Sequence, residues 1–190
     1  MRKTFLAVVL FASMSIYPDV ALARHKFKTP PASQTTERIL VMRHAEKPDS
    51  DKDNNLAFPG YTRASNLPPY ITSQYGRPDY IFVAADSKHS SRCAQTALPL
   101  SRATGVPLSD SFRDVDYQRL AQALTEDPHF KGKLIVVVWH HEKLPALVHA
   151  LGAKDGTFPN KWKSSVYNQI WELDFVGKHR PLVTISNEPF

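Results

Sequence analysis

The chain has 190 residues, a formal net charge of +6 and a single cysteine. A lone cysteine excludes an intramolecular disulfide, so packing alone must hold the fold together. Lysine and arginine residues do not cluster with aromatic residues on one element, so we expect no nucleic acid partner. The basic balance instead suits a small anionic ligand.

The first residues have the pattern of a secretory signal. Arg2 and Lys3 precede the apolar run 5–14, and the small-x-small sequence at 21–23 provides a cleavage site. We therefore predict a signal peptide over 1–23 and a secreted or periplasmic protein. The apolar run is short for a permanent span, so we expect no stable membrane insertion after cleavage; an uncleaved N-terminal anchor is the alternative.

A flexible linker is predicted over residues 24–36, because this stretch is rich in proline, serine and threonine and shows no periodicity. The remaining residues, 37–190, are sufficient for one domain with a full-sized core.

Three continuous apolar runs predict buried strands, at 39–42, 80–84 and 134–139. Between and after them, apolar residues recur at helical spacing. These helical patterns start near Gly60 and run over 93–100, 117–124 and 144–151. Strands that alternate with amphipathic helices predict an α/β domain with a mainly parallel sheet covered by helices on both faces.

Two further features concern the ends of elements. Pro68 and Pro69 are expected to end or break the helix that starts near Gly60, since proline lacks the backbone N–H that a helix interior needs. Near the C-terminus, segments 170–175 and 182–185 predict two strands with a tight connection near Gly177.

Two predicted strands end in histidine. His44 follows the first strand and has Arg43 beside it, and His140 follows the strand at 134–139. Ligands of parallel α/β sheets collect at the carboxyl ends of the strands, so we expect these side chains to converge there. A neutral imidazole can attack phosphorus, and arginine binds phosphate oxygens with paired hydrogen bonds. The residues therefore point to phosphoryl transfer.

Four segments, in chain order, resemble signatures of the histidine phosphatase superfamily, which includes the cofactor-dependent phosphoglycerate mutases. They are Val-Met-Arg-His-Ala-Glu-Lys-Pro at 41–48, Gly-Tyr-Thr-Arg-Ala at 60–64, Ser-Arg-Cys-Ala-Gln-Thr-Ala at 91–97 and Val-Val-Trp-His-His-Glu at 137–142. The third segment is one residue shorter than the family pattern. The chain thus resembles a small secreted member of bacterial type.

The resemblance implies a phosphoglycerate mutase-like fold, which is a three-layer α/β/α sandwich with a mainly parallel central sheet. It also implies the roles of four residues. His44 would be the nucleophile, Arg43 and Arg92 would bind the phosphoryl group, and His140 would bind it and stabilise the transition state. The implied partner is a small phosphorylated substrate, and the chemistry requires no cofactor.

The proton donor to the leaving group is less clearly marked. Glu142 is favoured, because it lies two residues beyond His140, and Asp114 and Asp116 are the alternatives. Lys47 is a further candidate substrate ligand that could instead be a solvated surface lysine.

A metal site is not expected. Pro145 stands where a His-Glu-x-x-His motif starting at His141 would need its second histidine. Three functions remain open: a metal-independent phosphatase acting on a phosphomonoester or phosphohistidine, a mutase of the same family, and a non-catalytic phospholigand-binding domain. The phosphatase is favoured, because the compact chain shows no long insertion that could close over a phosphoenzyme. The sequence predicts no oligomeric state.

Overall fold

The structure is a computed structural model that describes residues 37–50, 52–177 and 180–190. The signal peptide and linker predicted over 1–23 and 24–36 lie outside the described residues. No helix in the described part of the chain is long and apolar enough to cross a membrane.

Within these ranges, six strands form one sheet and four α-helices connect them. The strands are β1 (Glu37–Arg43), β2 (Tyr80–Ala84), β3 (Leu108–Phe112), β4 (Leu134–Trp139), β5 (Gln169–Phe175) and β6 (Leu182–Asn187). The helices are α1 (Phe58–Gln74), α2 (Arg92–Thr104), α3 (Tyr117–Glu126) and α4 (Leu144–Ala150). Short 3-10 turns occur at Asp114–Asp116 and Pro128–Phe130. The three apolar strands and the C-terminal strand pair predicted from the sequence are confirmed.

The strand order is β3-β2-β4-β1-β5-β6, in which β1, β4, β2 and β3 are parallel and β5 pairs antiparallel with β1. Right-handed crossovers between the parallel strands place α1 and α2 on one face of such a sheet and α3 on the other. Accordingly, α1 packs against α2, and α3 packs against α4. The predicted three-layer α/β/α architecture is confirmed.

The core lies on both faces of the central strands. Every residue of β4 is buried, and so are all residues of β1 except Arg38. Because helices cover both faces, β4 and the central residues 39–42 of β1 are continuously apolar instead of alternating with polar residues.

Helix α1 continues through Pro68 and Pro69, so the prediction that they would end or break it is wrong. Leu67 and Ile71, which flank the prolines, are 1% and 0% exposed. The burial of this apolar face offsets the local cost of the lost backbone hydrogen bonds. Thr72 adds a hydrogen bond from its Oγ1 to the carbonyl of Pro68, at 2.7 Å.

Candidate active site

The two predicted active-site histidines follow neighbouring strands. In the pairing of β1 with β4, Arg43 lies opposite Trp139, and the backbone N–H of His44 donates to the carbonyl of Trp139 at 3.1 Å. The rings of His44 and His140 are therefore close, with centroids 5.2 Å apart and planes at 67°. The helices after β1 and β4 leave to opposite faces, so the histidines lie where ligands bind in doubly wound sheets.

A cleft of about 330 Å³ opens at this edge of the sheet, and we refer to it as the reaction cleft. It brings together every site residue that the sequence suggested except Asp116. It is lined by Arg43, His44, Lys47, Ser87, His89, Ser90, Arg92, Asp114, His140, His141 and Glu142. The individual roles of these residues remain predictions.

His44 is held in one tautomer by the backbone. Its Nδ1 lies 2.7 Å from the carbonyl oxygen of Ala45, and since a carbonyl only accepts, Nδ1 carries the proton. The lone pair is therefore on Nε2. Burial, helped by the charges of Arg43 and Arg92, lowers the pKa of His44 to about 2 against the effect of the Ala45 hydrogen bond. His44 is thus neutral at any ordinary pH.

His140 is also neutral near pH 7. Burial lowers its pKa to about 4, and the nearby guanidinium of Arg92 acts in the same direction. A neutral imidazole can donate one hydrogen bond to a phosphoryl oxygen and accept another.

Arg43 is almost fully buried, with 2% exposure, and the segment 164–167 holds its guanidinium. Nη1 donates to the carbonyl oxygens of Ser164 and Val166, the latter at 3.3 Å. Nη2 donates to the hydroxyl of Tyr167 at 3.2 Å, and the guanidinium carbon lies 3.8 Å from the centroid of the Tyr167 ring. These contacts fix the side chain from one side.

Arg92 begins α2 and is held from a different loop, because its Nη1 donates to the carbonyl of Asp53 at 2.9 Å. The Nε atoms of Arg43 and Arg92 are both buried, and neither has a hydrogen-bond partner in the described part of the chain. Buried charged donors require an acceptor. Both arginines line the reaction cleft, so an anion bound there would face two guanidinium groups.

Asp114 lies where β3 gives way to a 3-10 turn, at the same edge of the sheet. Burial, against the charge of Lys143 and with that of Glu142, raises its pKa to about 6. Its Oδ1 is buried and has no partner among the described residues. The backbone carbonyl of Asp114 is held by the indole N–H of Trp139 at 3.1 Å. Asp114 therefore combines access to the cleft with a partly protonated carboxyl group.

The other two candidate acids are placed differently. Asp116 does not line the reaction cleft, and it forms an ion pair with Arg113 at 2.8 Å that lowers its pKa. Glu142 lines the cleft but is exposed to solvent.

The loop after β1 is fastened to α2. Thr96 is 1% exposed, and its Oγ1 accepts from the backbone N–H of Ala45 at 2.9 Å and donates to the carbonyl of Arg92 at 2.7 Å. The Thr96 hydroxyl thus links the backbone next to His44 to Arg92, and His44 and Arg92 both line the reaction cleft.

The Gly-Tyr-Thr-Arg-Ala segment at 60–64 also contacts the loop after β1. A Cβ on Gly60 would lie 2.4 Å from the carbonyl oxygen of Glu46, so only glycine fits there. Arg63 donates from Nη2 to the Glu46 carboxylate at 2.7 Å and from Nη1 to Glu188 at 2.8 Å. The C-terminal segment is therefore tied to the loop that carries Glu46.

The sequence predictions did not name Ser87, His89 and Ser90, which line the cleft, or Thr96 and Tyr167, which contact its residues. Thr96 was within the third matching segment, 91–97, but its hydroxyl contact could not be read from the motif. Tyr167 lies in a loop without periodicity or motif, so no local pattern marked it. Among the described residues, no group of three or more His, Cys, Asp or Glu side chains is arranged to hold a metal ion.

The fold and the cleft together define an α/β protein with two imidazoles and two arginines around a candidate anion site. No protein-family model and no curated protein matches the sequence. Solved structures do match the fold. The protein assigned as phosphohistidine phosphatase SixA from Agrobacterium tumefaciens has a TM-score of 0.55 and 22% identity, over 80% of this chain and 99% of that chain.

Two further solved structures are similar. The protein histidine phosphatase SixA complexed with tungstate has a TM-score of 0.53 and 16% identity, over 79% of this chain and 96% of that one. A mycobacterial glucosyl-3-phosphoglycerate phosphatase has a TM-score of 0.54 and 13% identity, over 80% and 97%. The chain therefore has the phosphoglycerate mutase-like fold of the histidine phosphatases, and the resemblance that the motifs indicated is confirmed at the level of the fold.

Proposed function

We propose that this protein is a histidine phosphatase that hydrolyses a phosphomonoester or a phosphohistidine through a phosphohistidine intermediate on His44. The observation that carries the proposal is the hydrogen-bonding state of His44. Its Nδ1–H faces the Ala45 carbonyl, so the ring presents a neutral nitrogen with a lone pair in a cleft lined by Arg43 and Arg92.

In the first step, the Nε2 lone pair of His44 forms a bond to phosphorus while the bond from phosphorus to the leaving oxygen breaks. The guanidinium groups of Arg43 and Arg92 both line the cleft and would donate hydrogen bonds to the phosphoryl oxygens. His140 contributes a neutral donor beside them. Preorganised donors of this kind stabilise the charge that is redistributed in the transition state.

The leaving oxygen needs a proton when it is basic, and we propose Asp114 as the donor in preference to Glu142. Desolvation keeps part of Asp114 protonated, whereas Glu142 is exposed to water. In the second step, the Asp114 carboxylate accepts a proton from water as the water oxygen attacks phosphorus and the phosphorus–nitrogen bond breaks. Inorganic phosphate and neutral His44 are the products.

Hydrolysis of p-nitrophenyl phosphate by the purified protein in the presence of EDTA tests the proposal. We expect turnover in EDTA and none in His44→Ala. His129→Ala is a matched control, because His129 is exposed, pairs with Asp127 and precedes the far end of β4. Activity that persists in His44→Ala, or that EDTA removes and zinc restores, would contradict the mechanism.

Trapping the intermediate distinguishes a phosphatase from a binding domain. When the reaction is quenched during turnover, we expect phosphate to be bound to His44 in an acid-labile, base-stable form. A mutase would transfer this phosphate to an added acceptor alcohol. Phosphate bound without any covalent label would favour the non-catalytic domain instead.

The similar structures are those of phosphohistidine phosphatases and of a glucosyl-3-phosphoglycerate phosphatase. A panel of phosphohistidine peptides, sugar phosphates, nucleotides and inositol phosphates would separate these substrate classes, because only the correct class should give a high kcat/KM.

We also propose that the protein is exported and processed after Ala23. The basic start, the apolar run and the small-x-small site in the sequence support this. Fractionation of expressing cells, followed by N-terminal sequencing of the exported form, tests it. An unprocessed protein that stays with the membrane would favour the anchor.

A further inference from the structure

Arg63 pairs with two carboxylates that come from distant parts of the chain. Its Nε and Nη2 donate to the Glu46 carboxylate at 3.0 and 2.7 Å, and its Nη1 donates to Oε2 of Glu188 at 2.8 Å. The side chain of Glu188 is 1% exposed and that of Arg63 is 13% exposed. Water and salt screen such a shielded pair less than a surface pair. Because Glu188 directly follows β6, the pair joins the last strand to the loop after β1.

Glu46 adjoins the group that holds the proton of His44. The Ala45 carbonyl, which accepts from Nδ1 of His44 at 2.7 Å, belongs to the peptide unit that connects Ala45 to Glu46. The carbonyl of Glu46 accepts from the N–H of Ala57 at 2.9 Å, and Arg63 holds its side chain. Because a peptide unit is planar, a backbone rotation at Glu46 would turn the Ala45 carbonyl away from the imidazole.

Glu188 is also connected to the segment that holds Arg43. Its backbone N–H donates to the carbonyl of Asn168 at 2.7 Å. Asn168 directly follows Tyr167, which contacts Arg43 through both its hydroxyl and its ring. One buried residue therefore connects the supports of the imidazole and of the guanidinium, through its side chain on one side and its backbone on the other.

We infer that Glu188 is a positioning residue, which acts on His44 through Arg63. Its charge holds the guanidinium in place against Glu46, and Glu46 in turn keeps the Ala45 carbonyl on Nδ1 of the imidazole. Glu188 does not line the reaction cleft, so it acts without contact with the reacting atoms. The inference rests on the proposed phosphatase function and adds a residue that lies outside both the motifs and the cleft.

The effect should depend on pH, because the ion pair requires an ionised Glu188. Burial, with the charge of Glu46 and against the hydrogen bond and charge of Arg63, raises the pKa of Glu188 to about 7. Tyr70 of α1 also interacts with it electrostatically, and its own pKa is raised, so Tyr70 stays neutral below pH 10. Glu188 is therefore ionised at about pH 8 and protonated at about pH 5. A protonated carboxyl accepts a weaker hydrogen bond from Arg63 than a carboxylate does.

The test uses Glu188→Gln, which removes the charge and keeps the approximate shape. The substrate is p-nitrophenyl phosphate, whose good leaving group depends little on a proton from Asp114. At about pH 8 we expect kcat to fall by about tenfold with KM within about threefold, because a displaced nucleophile raises the barrier without weakening binding. At about pH 5 the two proteins should differ by less than about twofold, because position 188 is then uncharged in both.

A second readout does not depend on turnover. Nitrogen NMR of the histidine rings, with His44 assigned by comparison with His44→Ala, reports which ring nitrogen carries the proton. The unmodified protein should have the proton on Nδ1, and Glu188→Gln should show a measurable population with the proton on Nε2 at about pH 8. A residue that only stabilised the fold would change the melting temperature and leave this tautomer unchanged in the folded protein.

Glu172→Gln is the matched control. Glu172 also pairs with an arginine, since its Oε1 lies 3.5 Å from Nη1 of Arg38, but it lies on β5 and does not line the reaction cleft. This substitution should leave both kcat and the His44 tautomer unchanged at either pH. The melting temperatures of all variants are measured at both pH values, so that only folded protein is compared.

Three results would be decisive against the proposals. An unchanged kcat in Glu188→Gln at about pH 8, or an unchanged tautomer, would overturn the positioning role. An equal loss of kcat at both pH values would also overturn it, because the charge of Glu188 would not be the cause. Absence of turnover in the unmodified protein would instead refute the phosphatase function, and the tautomer comparison would still decide whether Glu188 acts on His44.

Discussion

Tyr167 offers a direct test of how Arg43 is positioned. Its hydroxyl accepts from Nη2 at 3.2 Å, and its ring lies under the guanidinium at 3.8 Å. Tyr167→Phe removes the first contact and keeps the second, whereas Tyr167→Leu removes both. The two substitutions therefore separate the contribution of the hydrogen bond from that of the ring.

The expected losses follow from these two contacts. A hydrogen bond to a charged group contributes about 1.5–3 kcal/mol, and the length of this one places it at the lower end. Since about 1.4 kcal/mol corresponds to a factor of ten, Tyr167→Phe should lower kcat/KM by about tenfold if Arg43 must be fixed for the transition state. A cation–π contact adds about 0.5–2 kcal/mol, so Tyr167→Leu should cost a further several-fold.

The assay is kcat/KM for p-nitrophenyl phosphate together with inhibition by inorganic phosphate, in proteins whose melting temperatures are checked first. Tyr80→Phe is the control. Tyr80 is the first residue of β2, so it lies at the end of the strand opposite to the reaction cleft, where it packs against Phe82 and Phe130. Folded Tyr167→Leu with unchanged kcat/KM and phosphate inhibition would refute the reasoning, and would show that the carbonyls of Ser164 and Val166 suffice to hold Arg43.

Three further predictions concern the acid and the loop after β1. Asp114 donates a proton only while it is protonated, and its pKa is raised to about 6, so kcat/KM for phenyl phosphate should decline above about pH 6. Asp114→Asn should remove this decline, and a profile unchanged by the substitution would exclude Asp114 as the donor. Gly60→Ala should lower the free energy of unfolding by about 1–3 kcal/mol in urea titrations, because its Cβ would meet the Glu46 carbonyl at 2.4 Å. Thr96→Val should lower the free energy of unfolding by about 1–3 kcal/mol in thermal melts, because the N–H of Ala45 loses its acceptor. An unchanged free energy of unfolding would imply that another group accepts from this N–H.

The centre of the fold could be predicted because its strands are covered on both faces. A run such as 134–139 has no polar residue, and it is followed by a histidine at the edge where ligands bind. Together with the equivalent run before His44, it was sufficient to place both imidazoles on one edge of a parallel sheet. The motifs added Arg92, which hydrophobic periodicity alone does not reveal.

The periphery could not be predicted in the same way. Strand β3 has the sequence Leu-Ser-Asp-Ser-Phe and lies at the edge of the sheet, where polar residues are tolerated and the apolar signal is absent. Pro68 and Pro69 led to the wrong prediction of a helix break, because local propensity does not include the packing of Leu67 and Ile71. Tyr167 depends on a contact with a residue more than a hundred positions earlier, which no local pattern encodes.

The pairing of β1 with β4 has a practical consequence for protein engineering. Deleting or inserting one residue in either strand would rotate its histidine to the opposite face, since side chains alternate along a strand. Substitutions at the exposed positions 159–161 and 163 alter no residue of either strand. These positions are thus the natural place to randomise when a library of variants is made from this scaffold.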